Sequence, residues 1–229
     1  MKIISYNIND SYPWKVERLL QMQADVLVVP EITCPEDAHL PDCYDMKWNG
    51  INYFYQFPRW KGLGVIWKKG CAVVPHWYNP DLYYAIPLLT KGILILAIWP
   101  TKRKNVTDNK LYPQIAQEII HEYAPHFADQ PTVIIGDFNC YVNQVDSSPE
   151  YGDILRIDSI LRSHGLHSIY HEQTGEALGE ESTPTYYHRF KADQPFFLDY
   201  AYTNLPVSSF RLFPWDKNMS DHVGMELII

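Results

Sequence analysis

Val133-Ile134-Ile135-Gly136 runs straight into Asp137-Phe138-Asn139, and this stretch decides the fold. Consecutive branched aliphatic residues suit a strand covered on both faces, where no alternating wet side is needed. A carboxylate and an amide at its end do not suit a core. The same signature recurs upstream. Ile3-Ile4-Ser5-Tyr6 leads into Asn7 and Asn9, and Val26-Leu27-Val28-Val29-Pro30 leads into Glu31. Strands are expected over 2–7, 25–30, 51–57, 63–68, 71–77, 92–99, 131–136, 185–190, 196–203 and 223–229. Helices are expected over 12–23, 110–127 and 149–164. The last begins at Ser147-Ser148-Pro149-Glu150, a capping serine before a proline at the first helical position. Many strands, few helices and no regular strand–helix rhythm predict an α/β (α+β) fold. Its two mixed sheets pack on each other with helices outside, unlike a doubly wound sheet.

The chain has 229 residues, long enough to bury a core without staples, and it shows no linker or short repeat, so a single domain over 1–229 is expected. With 46% hydrophobic and 20% charged residues its composition is that of a globular protein. Nineteen Lys and Arg against 27 Asp and Glu leave a net charge of −8, which excludes a polybasic nucleic-acid binder. Any polyanion must be gripped locally or through recruited cations. No apolar run approaches the ~20 residues that span a bilayer. Met1 to Asn7 lacks the apolar stretch and cleavage site of a signal peptide. A cytoplasmic location is therefore expected, with no membrane and no obligate protein partner. Cys34, Cys43, Cys71 and Cys140 form no C-x-x-C pair and are read as free thiols.

Strand ends on a rigid sheet are where chemistry is usually placed. Glu31 and Asp137, with the amides of Asn7, Asn9 and Asn139, make a hard-oxygen set of the kind that holds Mg²⁺, or Mn²⁺ in its stead. Near the C-terminus, Ser220-Asp221-His222 precedes an apolar run, and upstream Asp199 is embedded in Phe197-Leu198-Asp199-Tyr200. A buried aspartate needs a partner, and a histidine oriented by a carboxylate is a common catalytic pairing.

Five motifs occur in order: Ser-Tyr-Asn-Ile-Asn at 5–9, Pro-Glu-Ile at 30–32, Gly-Asp-Phe-Asn at 136–139, Leu-Asp-Tyr at 198–200 and Ser-Asp-His at 220–222. Together they resemble the endonuclease/exonuclease/phosphatase superfamily, with its exonuclease III-like and DNase I-like enzymes, over residues 2–229. The resemblance implies a four-layer αββα sandwich and metal-assisted hydrolysis of a phosphoester. It implies Glu31 as the principal metal ligand, with Asn7 beside it and Asp221 as a further ligand. Asp137 would accept a proton from the attacking water, Asn139 would orient that water or the phosphate, and His222, held by Asp199, would serve a phosphate oxygen. Whether Asp137 or the His222–Asp199 pair is the general base stays open.

Two positions depart from the pattern. Trp99 stands where exonuclease III-like members place a tyrosine and phosphatase members a histidine. Phe197 stands where an arginine is frequent. Both lack the polar phosphate contacts that abasic-site cleavage uses, whereas Asn9 agrees with the exonuclease III-like pattern. Trp99 with Lys102, Arg103 and Lys104 reads as a loop gripping substrate, charges for phosphates and ring for bases. The first expectation is therefore an Mg²⁺-dependent nuclease of exonuclease III-like type with nucleic acid as substrate. A small-molecule phosphatase or phosphodiesterase is the alternative, and a silent binding module the remote one.

Overall fold

The protein is described from a computed structural model over residues 1–34, 38–52, 60–82, 84–102, 110–145 and 147–229. Thirteen strands and four α-helices are found among them. The strands are β1 (Lys2–Ser5), β2 (Val26–Ile32), β3 (Tyr44–Asn52), β4 (Trp60–Lys68), β5 (Ala85–Thr90), β6 (Ile93–Ile98) and β7 (Thr132–Asp137). They continue with β8 (His167–Ser168), β9 (Tyr186–Tyr187), β10 (Pro195–Phe196), β11 (Asp199–Thr203), β12 (Ser209–Leu212) and β13 (Met225–Ile228). The helices are α1 (Pro13–Gln21), α2 (Tyr112–Tyr123), α3 (Ile154–Ser163) and α4 (Ile169–Thr174).

One main sheet has the order β12-β13-β1-β2-β4-β3, the other β5-β6-β7-β11-β8, and β9 pairs with β10 in a separate two-stranded sheet. Both main sheets are mixed. The first is built around the parallel pair β1/β2, the second around the parallel pair β6/β7. Alternation along the strands explains the layers. Ile3, Val26 and Val28 join the core that includes the second sheet, while Ile4, Leu27 and Val29 face Val16 and Leu19 of α1. Every residue from Leu94 to Ile98 and from Val133 to Ile135 is wholly buried, as a strand covered on both sides requires. Ala116, Ile119 and Ile120 of α2 and Ile154, Ile157 and Leu161 of α3 belong to that same core. The layers thus run α1, sheet, sheet, α2 with α3.

The expected elements need several corrections. Residues 71–77 form no strand; Pro75 interrupts them and only an isolated bridge, Val73 to Leu89, remains. β3 occupies 44–52, and the expected strand at 51–57 falls beyond Asn52 outside the described residues. The third expected helix starts at Ile154, because Asp153 rather than Ser148 caps it, accepting from Leu155 N at 2.9 Å. Ser148 instead closes a turn, its Oγ accepting from Tyr151 N at 3.2 Å. Residues 185–190 supply only the short β9 before a 3₁₀ turn. β5, β8, β12 and α4 had no counterpart in the sequence reading. All four cysteines are free, and burial pushes the Cys140 thiol well up, which suits a packed residue better than a nucleophile. No helix among the described residues is long and apolar enough to cross a membrane.

Candidate active site

The C-terminal ends of β1, β2 and β7 converge between the two sheets, and His222, three residues before β13, joins them. Each strand is bent locally to present its polar residue. Between Pro30 and Ile32 the register of β2 against β4 shifts, and Glu31, at φ 61°, sits on the resulting bulge. Bulges re-aim side chains, and a non-glycine residue held at positive φ costs energy that the surrounding structure must impose. Asn9 (φ 41°) and Asn139 (φ 51°) share that backbone region. Gly136 permits the close passage of β7 against β6, since a Cβ there would lie 1.9 Å from the Ile98 carbonyl oxygen.

Asn7 lies at the centre, fully buried. Its Nδ2 donates to Glu31 Oε1 at 3.1 Å and to Asp137 Oδ2 at 3.0 Å, and lies 3.3 Å from His222 Nε2. Its Oδ1 accepts from Asn9 N at 3.0 Å. Asp199 and Asp137 are directly paired across β11 and β7, so their carboxylates flank one histidine. His222 Nδ1 lies 2.9 Å from Asp199 Oδ2, and Nε2 lies 3.8 Å from Asp137 Oδ2. Thr185 Oγ1 fixes the start of β11 by accepting from Leu198 N and Asp199 N at 2.9 and 3.0 Å. Asn139 holds Asp137 from the other side. Its backbone N donates to Asp137 Oδ1 at 2.9 Å, and its Nδ2 reaches the Pro100 carbonyl at 2.9 Å and Asp137 Oδ2 at 3.3 Å.

The electrostatics follow from that crowding. Burial pushes the Asp137 carboxyl well above the usual carboxylate range, with His222 opposing and Asp199 adding to the rise. Burial alone would lower the His222 imidazole, but the charges of Asp199 and Asp137 outweigh it and hold the ring well above its ordinary value. Burial likewise raises the Asp221 carboxyl, His222 opposing and the charge of Glu31 adding.

Two sets of groups have the chemistry for a cation. One oxygen each of Asp137 and Asp199 and a ring nitrogen of His222 lie within 4.8 Å of one another. Those atoms are already committed to one another and to Asn7, as a proton-handling cluster would be. The second set is the carboxylates of Glu31 and Asp221 with the Asn9 amide oxygen, hard oxygen donors, beside Asn7, whose Nδ2 faces Glu31 and whose Oδ1 accepts from Asn9 N. Here Lys61, from β4, places its ammonium 2.7 Å from Glu31 Oε2 and 3.5 Å from Asn9 Oδ1. The oxygen donors are of the type a divalent ion takes, and such an ion would compete with the Lys61 ammonium for Glu31.

Most of the residues singled out in the sequence therefore meet: Asn7, Asn9, Glu31, Asp137, Asn139, Asp199, Asp221 and His222. The expected substrate loop does not join them in that form. Trp99 is only 3% exposed and packs edge-on against Tyr84, so it is a core residue and not a surface ring for substrate. Lys102 lies over the Tyr112 ring at 4.7 Å, and Arg103 and Lys104 lie outside the described residues. Sequence reasoning missed Tyr186, whose ring stands 4.6 Å from that of His222 and walls it off. Lys61, at the start of β4, takes its place in the site through the ion pair with Glu31 on the neighbouring β2 bulge.

Lys15 supports the loop bearing Asn9. Its buried ammonium donates to the carbonyls of Ile8, Asn9 and Asp10 at 2.5, 3.3 and 3.1 Å, and burial lowers its pKa, with Asp10 opposing. Lys15→Met should lower unfolding free energy by about 1–3 kcal/mol, the usual cost of leaving buried polar groups unsatisfied. Urea titration checks this; an unchanged midpoint would show that water serves those carbonyls equally well.

The Endonuclease/Exonuclease/phosphatase family model matches residues 4–222. Among solved structures the chain is similar to the 3′ phosphatase NExo from Neisseria bound to product DNA hairpin, with TM-score 0.70 and 16% identity over 100% of this chain and 98% of that one. An AP endonuclease from Archaeoglobus fulgidus gives TM-score 0.68 and 15% identity over 100% and 98%. An endonuclease/exonuclease/phosphatase from Beutenbergia cavernae gives 0.65 and 15% over 99% and 70%. No match was found among curated proteins. At these identities the structural likeness speaks for the fold.

Proposed function

The chain belongs to the endonuclease/exonuclease/phosphatase family of phosphoester hydrolases, and from that premise we propose that it is a divalent-metal-dependent phosphodiesterase acting on nucleic acid. One observation carries the reading. A single buried amide, Asn7, lies within hydrogen-bond reach of Glu31, Asp137 and His222, which come from separate strand ends of both sheets. A structural core has no use for three such groups around one amide.

Glu31, Asn7 and Asp221 would hold Mg²⁺, or Mn²⁺ in its place, which supplies positive charge against the negative charge developing at the phosphate. Asp137 accepts a proton from the attacking water. Its carboxyl is raised by burial toward neutrality, where a general base works best. His222 is held positive by Asp199 and Asp137, so it donates from Nε2 to a non-bridging oxygen and cannot itself take the first proton. Asp199 accepts from Nδ1–H, fixing the ring's orientation and stabilising its charge. Asn139 orients Asp137 and, through it, the water.

Nucleic acid as substrate is supported by two similar structures, a 3′ phosphatase bound to a DNA hairpin and an AP endonuclease. The test is a substrate panel with Mg²⁺ and Mn²⁺: plasmid, single-stranded DNA, RNA, abasic duplex and phosphomonoesters. Cleavage of nucleic-acid diesters is expected, with the abasic duplex a poor substrate because Phe197 and Trp99 offer no polar phosphate contact. Turnover confined to small phosphoesters would replace this reading with the small-molecule one.

A further inference from the structure

Beside the site, and bordered by Asn9 and Lys61 of it, Tyr12, Trp14, Phe190 and Lys217 help line an open cleft of about 400 Å³, within the size range of small-ligand sites. We propose that this cleft takes an unpaired nucleobase adjoining the phosphate being cut, which makes a single-stranded or frayed strand the preferred substrate. The proposal rests on the nuclease reading above and extends it to the form of the nucleic acid.

Tyr12, Trp14 and Phe190 are 44%, 44% and 41% exposed, and among the described residues they are the exposed aromatic rings. Single apolar residues on a surface need no explanation, and Val73, Val145, Leu155 and Val207 are exposed elsewhere. Three rings gathered on one cleft are a different matter. Two are held in place from below, where the Lys15 ammonium lies 5.6 Å from the Tyr12 ring centre and 6.0 Å from that of Trp14. Phe190 reaches the cleft from a strained turn, Arg189 and Phe190 both standing at positive φ (53° and 60°). A bulky residue rarely adopts that conformation without reason.

Charge agrees with the rings. The chain carries a net −8, yet three lysines line this cleft against one aspartate, Lys15 being held by backbone carbonyls and Lys61 by Glu31. Lys61 joins the two sites, for its ammonium touches Glu31 while its stem borders the cleft. A phosphate gripped at Asn7 and His222 leaves the attached nucleoside beside these rings. Stacking accepts any base, since every base has a π face, but a base inside a duplex has none to offer.

The test is a titration, in Mg²⁺, of a phosphorothioate-linked single-stranded oligonucleotide that resists cleavage. A second oligonucleotide with the same linkages and abasic residues throughout serves as comparison. Wild type should bind the base-bearing strand more tightly than the abasic one. Trp14→Ala combined with Phe190→Ala should weaken the base-bearing strand about 5- to 100-fold, the usual loss for a base–aromatic stack, and leave abasic binding nearly unchanged. Trp14→Phe should keep most of the affinity, which separates ring loss from misfolding. Equal binding of the two oligonucleotides by wild type, or an unaltered Kd in the double variant, would overturn the proposal. Cleavage of the unmodified single-stranded oligonucleotide by the wild type tests the nuclease reading by itself, so the two failures are distinguishable.

Discussion

Asp137→Asn is expected to cut phosphodiester turnover about 10²–10⁴-fold, the usual cost of losing a positioned acid or base, without lowering the thermal midpoint. The two halves have one cause. The carboxylate is buried, and its raised pKa means that the fold disfavours its charged form. An amide of the same shape removes that penalty and the base together, a trade of activity against stability common at catalytic sites, and the relief offsets the acceptor lost where its NH2 meets the donors of Asn7 or Asn139. His222→Ala should cost as much in rate but should also lower the midpoint. It leaves Asp137 and Asp199 facing each other across β7 and β11 with no cation between them. Initial rates on one phosphodiester and thermal melts of both variants check this. Near-wild-type turnover in folded Asp137→Asn would take the base away from Asp137, and a stable, active His222→Ala would remove the histidine from the site.

Much of this arrangement is legible in the sequence because the strands that carry it are buried on both faces. Val133 to Ile135 and Val26 to Val29 can only be interior strands, and a polar residue at the end of such a run has few structural reasons to be there. The pairing of Asp199 with His222 is likewise legible, since an aspartate among aromatics needs a partner. What the local pattern hides is set by tertiary context. β5 contains Pro87 and lies at the edge of its sheet, where proline is tolerated because its missing donor faces no neighbour. β3 and β12 are also edges, and their partly polar sequences carry little periodic signal. Trp99 illustrates the opposite error. Basic residues follow it at 102–104 in the sequence, yet its backbone N donates to the Tyr84 carbonyl at 2.8 Å and its ring follows the strand into the core. Tyr12, Trp14 and Phe190 come from two distant segments, so nothing short of the fold could reveal them as one surface.

Chelation is expected to silence the wild type, and Glu31→Gln to raise the Mg²⁺ needed for half-maximal rate by at least about tenfold. Altering even the groups around a metal ligand commonly costs 10–100-fold in metal affinity, and here a ligand charge itself is removed. Backbone geometry as well as sequence supports this role for Glu31. The bulge in β2 turns its carboxylate toward Asn7, and Asp221 adds a second negative charge whose mutual repulsion with Glu31 a divalent ion would relieve. Lys61 supplies the control. Its ammonium neutralises Glu31 at 2.7 Å, so it competes with any cation for the same oxygen. Lys61→Met should therefore leave the Mg²⁺ requirement equal or lower, while Glu31→Gln moves it up. Mn²⁺ binding followed by its paramagnetic signal reads the same order without depending on turnover. A wild type indifferent to EDTA, or a Glu31→Gln variant that binds Mn²⁺ as tightly as the parent, would place the ion elsewhere. The cluster of Asp137, Asp199 and His222 would then be the set to examine, since its atoms lie close enough together to hold a metal.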